Sequence, residues 1–344
     1  MRESSVKQTL LITGLPRSGT TWVGRIVSTA QNIEYVFEPD NEKISPAAWY
    51  YKRDLHRFPY LKAADNAPGY QTLWEAIFTR AVGSSVLYFL LERYFRRKTF
   101  MVEAYIGDKT GFTYVDGRFN GVAPQGKARP FQTQDHTMLT RLVSKFAERG
   151  WQRPFNKQLI VKSVHTPLAL DWLAKHFNVK IVLVLRNPHS LYASYKRMKM
   201  PDGNRNLLLQ SQLFTDFQSY LECPRQLTNN LHLPSTMQIM LMLKVLAQQI
   251  ENHPEWLIVS HDQLCRDPQS IYRKIFQQLD LSWTKETDNK LATLNQTGSG
   301  FTPSRLARLQ PDKWRTELEP SEVATLDECI EHFQLKGFLN RYVY

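Results

Sequence analysis

Two glycines five residues apart, in a turn between an apolar run and a helix-like segment, constrain the fold of this chain more than any other feature. Gly14 and Gly19 follow an apolar run that ends at Thr13, and residues 21–30 behind them carry apolar side chains at helical spacing. Glycines allow the main-chain N–H groups of such a turn to point inward, and the N-terminus of the following helix adds partial positive charge. The pattern predicts a phosphate-binding loop between the first strand and the first helix of an α/β domain.

The cation of this loop is not where nucleotide hydrolysis would need it. The glycine spacing matches the G-x-x-x-x-G of nucleotide-hydrolysing P-loops, but Thr20 stands where their lysine follows the second glycine. Arg17, inside the loop, is the cation instead. Ordinary hydrolysis of ATP or GTP is therefore disfavoured.

Five stretches of the chain are predicted to be short strands, and most of them are continuous apolar runs. They are residues 8–13, 33–37, 158–162, 180–186 and 256–260. Helix-like segments separate several of them, and this alternation is typical of a parallel sheet covered on both faces. We therefore expect an α/β fold, a three-layer P-loop-type domain with a mainly parallel central sheet flanked by helices.

The length of 344 residues and the hydrophobic content of 42% favour a single domain over residues 1–344. Residues 41–157 are aromatic, irregular and rich in Pro and Gly, which is typical of an insertion that builds a substrate pocket at the carboxyl edge of a sheet. The apolar residues 82–91 are too few to span a bilayer. They predict a buried helix with a solvated basic end, with a membrane-surface helix as the alternative.

The net charge of +12 indicates a polyanionic ligand. The basic residues are scattered and match no zinc-finger, RRM or helix-turn-helix pattern, so we expect a nucleotide and no nucleic acid. Cys223, Cys265 and Cys329 lie far apart without zinc-ligand spacing, as expected of thiols in a reducing compartment. Because the polar N-terminus lacks the apolar stretch of a signal peptide, we expect a soluble cytoplasmic protein.

A second candidate phosphate site follows the fourth predicted strand. Arg186 stands where that strand ends, Asn187 and Pro188 turn the chain, and Ser194 lies in the second turn of the next helix. An arginine fork and a hydroxyl brought together there can hold one phosphate. Taken alone, the same residues also fit an arginine that caps a helix and a serine that faces solvent.

The two motifs together resemble those of sulfotransferases that use 3′-phosphoadenosine 5′-phosphosulfate (PAPS). The run Pro16-Arg-Ser-Gly-Thr-Thr-Trp22 resembles their 5′-phosphosulfate loop, and Arg-Asn-Pro with a serine eight residues after the arginine resembles their 3′-phosphate motif. The resemblance implies that Arg17 touches the transferring group and that Trp22 packs near adenine. It also implies further nucleotide contacts from Gly14, Pro16, Ser18, Gly19, Thr20, Thr21, Arg186 and Ser194.

Weaker matches extend the resemblance over nearly the whole chain outside the insertion. Residues 259–268 are similar to a scaffold segment of the family. Near the C-terminus, relatives place a loop that closes over the nucleotide, which implies contacts from Arg305, Lys313 and Trp314. The Arg-Lys-Gly signature of the cytosolic members is absent from this sequence, so a basic surface loop with one packed Trp is the alternative.

The resemblance supplies two candidates for the base that removes the proton of the acceptor hydroxyl. Glu38, before Pro39, resembles the glutamate of carbohydrate and tyrosyl-protein sulfotransferases. His165 resembles the catalytic histidine of the cytosolic branch, which stands two residues after a lysine that approaches the sulfuryl group. Here it stands three residues after Lys162. We favour Glu38 for that reason, which places the chain nearer the carbohydrate, tyrosyl-protein and bacterial members.

The expected reaction is transfer of the sulfuryl group of PAPS to a hydroxyl of a carbohydrate, glycolipid or small alcohol. Cationic side chains can replace magnesium because a sulfuryl group carries less charge than a phosphoryl group, so no metal is expected. One alternative is a P-loop small-molecule or nucleotide kinase, which should need magnesium and a loop lysine. Another is a non-catalytic nucleotide or RNA binder, which would need no base at the sheet edge and would bind with a steep salt dependence.

Overall fold

A computed structural model describes residues 8–42, 45–52, 54–79, 157–198, 207, 209–221, 233–298 and 304–344, and the backbone of 113–115 and 118–120. The strands are β1 (Thr9–Thr13), β2 (Ile33–Phe37), β3 (Thr113–Val115), β4 (Arg118–Asn120), β5 (Gln158–Lys162), β6 (Val179–Leu185) and β7 (Leu257–Ser260). Five of them form one parallel sheet in the order β2-β5-β1-β6-β7, and β3 and β4 form an antiparallel pair. The five predicted strands are confirmed to within one residue at each end.

Helices cover this sheet on both faces. They are α1 (Thr20–Val27), α2 (Pro46–Tyr51), α3 (Pro68–Phe78), α4 (Leu170–His176), α5 (Pro188–Arg197), α6 (Ser211–Leu221), α7 (Leu233–Asn252), α8 (His261–Arg266), α9 (Pro268–Gln278), α10 (Lys285–Leu294), α11 (Trp314–Glu317), α12 (Pro320–His332) and α13 (Lys336–Tyr342). Two of them begin with a side-chain cap: Asn187 and Asp267 accept N-cap hydrogen bonds, and each precedes a proline at the first helical position.

Alternate residues of the strands enter two separate apolar cores, one on each face of the sheet. Leu11 and Leu183 pack into the core that includes α4, α7 and α12. Leu10 and Ile12 pack into the core formed with α1 and α9. This alternation confirms the three-layer α/β architecture, because consecutive side chains of a strand point to opposite faces.

The register of the sheet brings the ends of the strands level at one edge. Ile12 of β1 lies opposite Lys162 of β5 and Val182 of β6. Phe37 of β2 also lies opposite Lys162. The residues that follow each strand therefore meet at the carboxyl edge, where ligands of parallel α/β sheets bind.

Several sequence predictions lie outside the described residues. Residues 82–91, Cys223 and most of the 41–157 insertion belong to that group, so the division of the chain stays a prediction. Cys265 and Cys329 are buried and not in a disulfide. Across the described segments, no helix combines the length and the apolar character needed to cross a membrane.

Candidate active site at the carboxyl edge of the sheet

The loop after β1 adopts a conformation that only glycine fits at two positions. Gly14 has φ +154°, and a Cβ there would lie 2.3 Å from the main-chain oxygen of Val184. Gly19 has φ +99°, and a Cβ there would lie 2.4 Å from Cδ2 of His261. Gly19 is also the N-cap of α1, so the free N–H groups of the first helical turn face this loop. The local structure is that of an anion-binding loop.

Polar atoms of the loop and its neighbour are buried without partners. Ser18 Oγ and Arg186 Nε have no hydrogen-bond partner among the residues that the structure describes. Ser18 is 1% exposed and Arg186 is 8% exposed. A buried donor left unsatisfied costs about 1–3 kcal/mol, so both atoms fit a site that an anionic ligand completes.

The two predicted phosphate motifs form one site. Arg17, which has φ +71°, donates a hydrogen bond from Nε to Oγ of Ser194 at 3.1 Å. Arg186 donates from Nη1 to the main-chain oxygen of Arg17 at 2.8 Å. Burial, followed by the charges of Arg186, Arg305 and Arg197, lowers the pKa of Arg17 to about 10. This concentration of positive charge is suited to a polyanion.

Arg197 is a member of this cationic cluster that the sequence analysis missed. It lies one helical turn after Ser194 on α5, and a residue three positions on shares the same helix face. Its Nη1 donates to both carboxylate oxygens of Glu317, with 2.6 Å to Oε1. Lys313 lies 3.2 Å from the same carboxylate. The spacing from Ser194 is the sequence signal that would have identified it.

The residues near the C-terminus that were predicted to contact the nucleotide lie in two different environments. Arg305 lies near enough to Arg17 for its charge to lower the pKa of Arg17, after burial and the charge of Arg186. Trp314 is buried, and its ring packs on His189 with centroids 4.5 Å apart. In the phosphate loop segment, Trp22 is also buried, and its ring is edge-on to that of Tyr272 with centroids 5.4 Å apart. The nucleotide contacts implied for these residues stay predictions.

Glu38 is held in a strained conformation beside Lys162. Its φ is +46°, and its main-chain N–H donates to the oxygen of Lys162 at 2.7 Å. Oε1 pairs with Lys162 Nζ, Oε2 accepts from Asn41 Nδ2 at 3.1 Å, and His165 Nε2 lies 3.4 Å from Oε2. Burial raises the pKa of Glu38, but the adjacent His165 ring and the charge of Lys162 outweigh it and hold that pKa well below the usual range. The site therefore keeps an ionised carboxylate.

Lys162 connects this carboxylate to the phosphate loop. Its side chain is 2% exposed, and Nζ lies 4.7 Å from the ring centroid of Phe37. Burial lowers the pKa of Lys162, the Glu38 carboxylate opposes that shift, and the Arg17 guanidinium adds to it. The two cations predicted to approach the transferring group thus lie within electrostatic range of each other.

His165 occupies a fully enclosed position next to Glu38. It is 1% exposed, its main-chain N–H donates to Ser163 Oγ at 3.0 Å, and Ser163 Oγ donates to the Asp40 carboxylate at 2.7 Å. Arg57 Nε donates to its Nδ1 at 3.5 Å. His165 is one of the residues predicted from the sequence, whereas Arg57 is not, because it lies in an irregular segment without periodicity.

Comparison with known proteins identifies the same family as the motifs. The profile of the sulfotransferase family matches residues 9–285. No curated protein sequence matches the chain at a significant level.

Among solved structures, a sulfotransferase domain from the curacin biosynthetic pathway is 13% identical, with a TM-score of 0.45, over 95% of this chain and 97% of that one. Sulfotransferase STF9 from Mycobacterium avium is 14% identical, with a TM-score of 0.43, over 98% of this chain and 78% of that one. STF1 from Mycobacterium tuberculosis H37Rv is 13% identical, with a TM-score of 0.41, over 95% and 76%.

Proposed function

The chain belongs to the sulfotransferase family, and on that premise we propose that it transfers the sulfuryl group of PAPS to a hydroxyl acceptor. The observation that carries the proposal is the junction of the two phosphate motifs. Arg17 bonds to Ser194 while Arg186 bonds to the main chain of Arg17, and Arg186 Nε and Ser18 Oγ remain without partners in the described part of the chain. Such a site can bind an anion at each end of one nucleotide.

The residues divide between the two phosphates of the nucleotide. Ser18, Gly19, Thr20 and Thr21 would bind the 5′-phosphosulfate through their N–H groups and hydroxyls at the start of α1. Arg186 and Ser194 would bind the 3′-phosphate, which distinguishes PAPS from ATP. PAPS supplies an activated sulfuryl group, and the protein positions it and stabilises charge.

Glu38 would act as the base. Its carboxylate would accept the proton of the acceptor hydroxyl while the new oxygen–sulfur bond forms and the bond from sulfur to the 5′-phosphate oxygen breaks. The bonding electrons leave with the phosphate, which gives adenosine 3′,5′-bisphosphate and a sulfate ester. Arg17 and Lys162 would stabilise the charge that builds on the leaving oxygen.

The contacts of His165 argue against it as the base. An arginine side chain only donates hydrogen bonds, so Nδ1 of His165 must be an acceptor where Arg57 meets it. In the neutral ring the proton then belongs to Nε2, the atom that approaches Glu38. A nitrogen that already carries a proton cannot accept one, so His165 orients Glu38 and Glu38 takes the proton.

The side chain next to Glu38 in the sequence supports the proposed acceptor class. The ring of Phe37 is 46% exposed at the end of β2 and offers apolar surface against which the carbon skeleton of an acceptor can pack. We propose a carbohydrate, glycolipid or small alcohol, without nucleic acid as a partner and without a required metal. A cytoplasmic location is part of the same proposal.

The direct experiment incubates the protein with PAPS labelled with ³⁵S and a panel of sugars, glycolipids and small alcohols, with EDTA present. We expect a labelled sulfate ester on at least one class of acceptor, and loss of labelling in Arg17→Ala. Phosphate transfer from ATP that depends on magnesium would identify a kinase instead. Nucleotide binding without transfer to any class, or to an extract of the source cells, would favour a non-catalytic binder.

A further inference from the structure

Arg57 owes its position to a buried lysine. The side chain of Lys52 is fully buried, pairs with Glu42, and donates from Nζ to the main-chain oxygens of Asp40 at 3.2 Å and Arg57 at 3.0 Å. Removing one partner of a buried ion pair is costly, so these bonds hold the main chain at Asp40 and at Arg57 in one arrangement. The main chain of Arg57 is thereby tied to the segment that follows Glu38.

The side chain of Arg57 meets His165 on the ring edge away from Glu38. Arg57 Nε donates to Nδ1 at 3.5 Å, and Nε2 lies 3.4 Å from Glu38 Oε2. The ring of Phe58 packs against the imidazole with centroids 5.3 Å apart, and the guanidinium carbon of Arg57 lies 6.0 Å from the centroid of the Phe58 ring. The imidazole is thus confined between a cation and a carboxylate.

We propose that Arg57 is a positioning residue, which selects the His165 tautomer whose Nε2–H faces the Glu38 carboxylate. The role in turnover rests on the proposed function, whereas the tautomer is a property of the protein alone. Because guanidinium has no acceptor atom, a proton on Nδ1 would oppose the Arg57 N–H group. Asn41 donates to Glu38 Oε2. With the proton on Nε2, that imidazole nitrogen lies 3.4 Å from the same oxygen, an approach that is not a formed hydrogen bond among the described residues, and the two together favour one direction of the carboxylate.

Loss of Arg57 would remove this selection. Nδ1 could then carry the proton, and the lone pair of Nε2 would face the carboxylate and repel it. Hydrogen bonds of catalytic groups often tighten only when substrate binds, so contacts of 3.4–3.5 Å are compatible with this role.

The first test reads the tautomer directly, in protein labelled with ¹⁵N-histidine. Long-range ¹H–¹⁵N correlation spectra should show an unprotonated Nδ1 and a protonated Nε2 for His165, assigned by the signals missing from His165→Asn. Arg57→Ala should shift the ring toward the Nδ1–H form or toward exchange between forms, and Arg57→Lys, which keeps a donor, should restore the original pattern. A wild-type Nδ1–H ring, or an Arg57→Ala spectrum identical to wild type, overturns the proposal.

The second test separates positioning from general loss of structure. With ³⁵S-labelled PAPS and an acceptor found in the panel, Arg57→Ala should lower kcat roughly tenfold to a hundredfold, a part of the effect of a general base, with KM for PAPS unchanged. The double variant Arg57→Ala/Glu38→Gln should be no slower than Glu38→Gln alone, because Arg57 acts through Glu38. Additive losses overturn the positioning role. Normal turnover by Glu38→Gln would instead refute Glu38 as the base and leave the tautomer result standing.

Discussion

Arg17 and Ser194 are joined by a hydrogen bond of 3.1 Å between Nε and Oγ, across 177 residues of sequence. The bond links the loop after β1 to the helix after β6, and Arg186 reinforces it through the main-chain oxygen of Arg17. Two motifs that are separate in the sequence therefore make one cationic site.

Arg186→Ala should weaken the binding of adenosine 3′,5′-bisphosphate by about 1.5–3 kcal/mol, the range for a hydrogen bond to a charged group. Adenosine 5′-phosphosulfate, which lacks the 3′-phosphate, should lose less, since only the support of Arg17 would change for it. Calorimetric titration of both ligands measures the difference. Arg273→Ala is a matched control, because Arg273 is exposed on α9 and its guanidinium lies over the ring of Trp283. Equal losses for the two ligands would assign Arg186 to the loop alone.

Glu38→Gln should lower kcat by roughly 10²–10⁴, since glutamine keeps the shape of the side chain and removes its basicity. His165→Asn should cost much less, because His165 orients the carboxylate without taking the proton. Rates of ³⁵S transfer measure both, with bisphosphate affinity as the check that the nucleotide site is intact. Glu34→Gln, on the same strand, should behave as wild type. A dead His165 variant beside a normal Glu38 variant would reverse the assignment.

Gly19→Ala should lower the melting temperature and abolish binding of the bisphosphate. The new methyl would meet His261 at 2.4 Å, and φ of +99° strains any residue with a side chain. Gly337→Ala is the control: its Cβ would have nothing within 4 Å, and alanine in α13 should add up to about 1 kcal/mol of stability. Thermal unfolding measures the stability of the two variants, and calorimetric titration measures their binding of the bisphosphate. Normal nucleotide binding by Gly19→Ala would contradict the loop assignment.

The lowered pKa of Glu38 makes its contribution to stability depend on pH. Its ionised form is favoured in the folded protein, so the stabilisation is present above the unfolded-state pKa of about 4.3 and is lost as pH falls below it. The difference in free energy of unfolding between wild type and Glu38→Gln should therefore be greatest near neutral pH and shrink in acid. Urea unfolding between about pH 7 and pH 3 measures it. A difference that stays constant over that range would show that Glu38 is not held ionised by the fold.

The sequence predicted the sheet and the loop closely because both have local causes. Buried parallel strands are continuous apolar runs that turns interrupt, which locates their ends. The positive φ angles at Gly14 and Gly19 require glycine, so the loop is visible in the sequence itself. Glu38 and Lys162 could be expected to meet, and Arg186 to lie along the same edge of the sheet, because each follows or ends a parallel strand.

The remainder of the site depends on contacts that no local pattern encodes. Arg57 reaches His165 because a buried Lys52 holds its main chain, and nothing in the spacing of these residues indicates that pairing. The sequence placed Ser194 on the helix after Arg186, but its bond to Arg17 depends on how that helix packs over the loop. Glu317 reaches Arg197 from a distant segment in the same way.

Dependence on PAPS can be measured with adenosine 3′,5′-bisphosphate, the nucleotide product of the proposed reaction, in the absence of magnesium. Calorimetric titration of the unmodified protein measures binding of the bisphosphate in EDTA. Parallel titrations measure binding of ATP, once in EDTA and once with magnesium. We expect saturable binding of the bisphosphate in EDTA, a matching rise in melting temperature, and far weaker binding of ATP. Tighter binding of magnesium–ATP than of the bisphosphate, or no binding of the bisphosphate, would contradict a PAPS-dependent sulfotransferase.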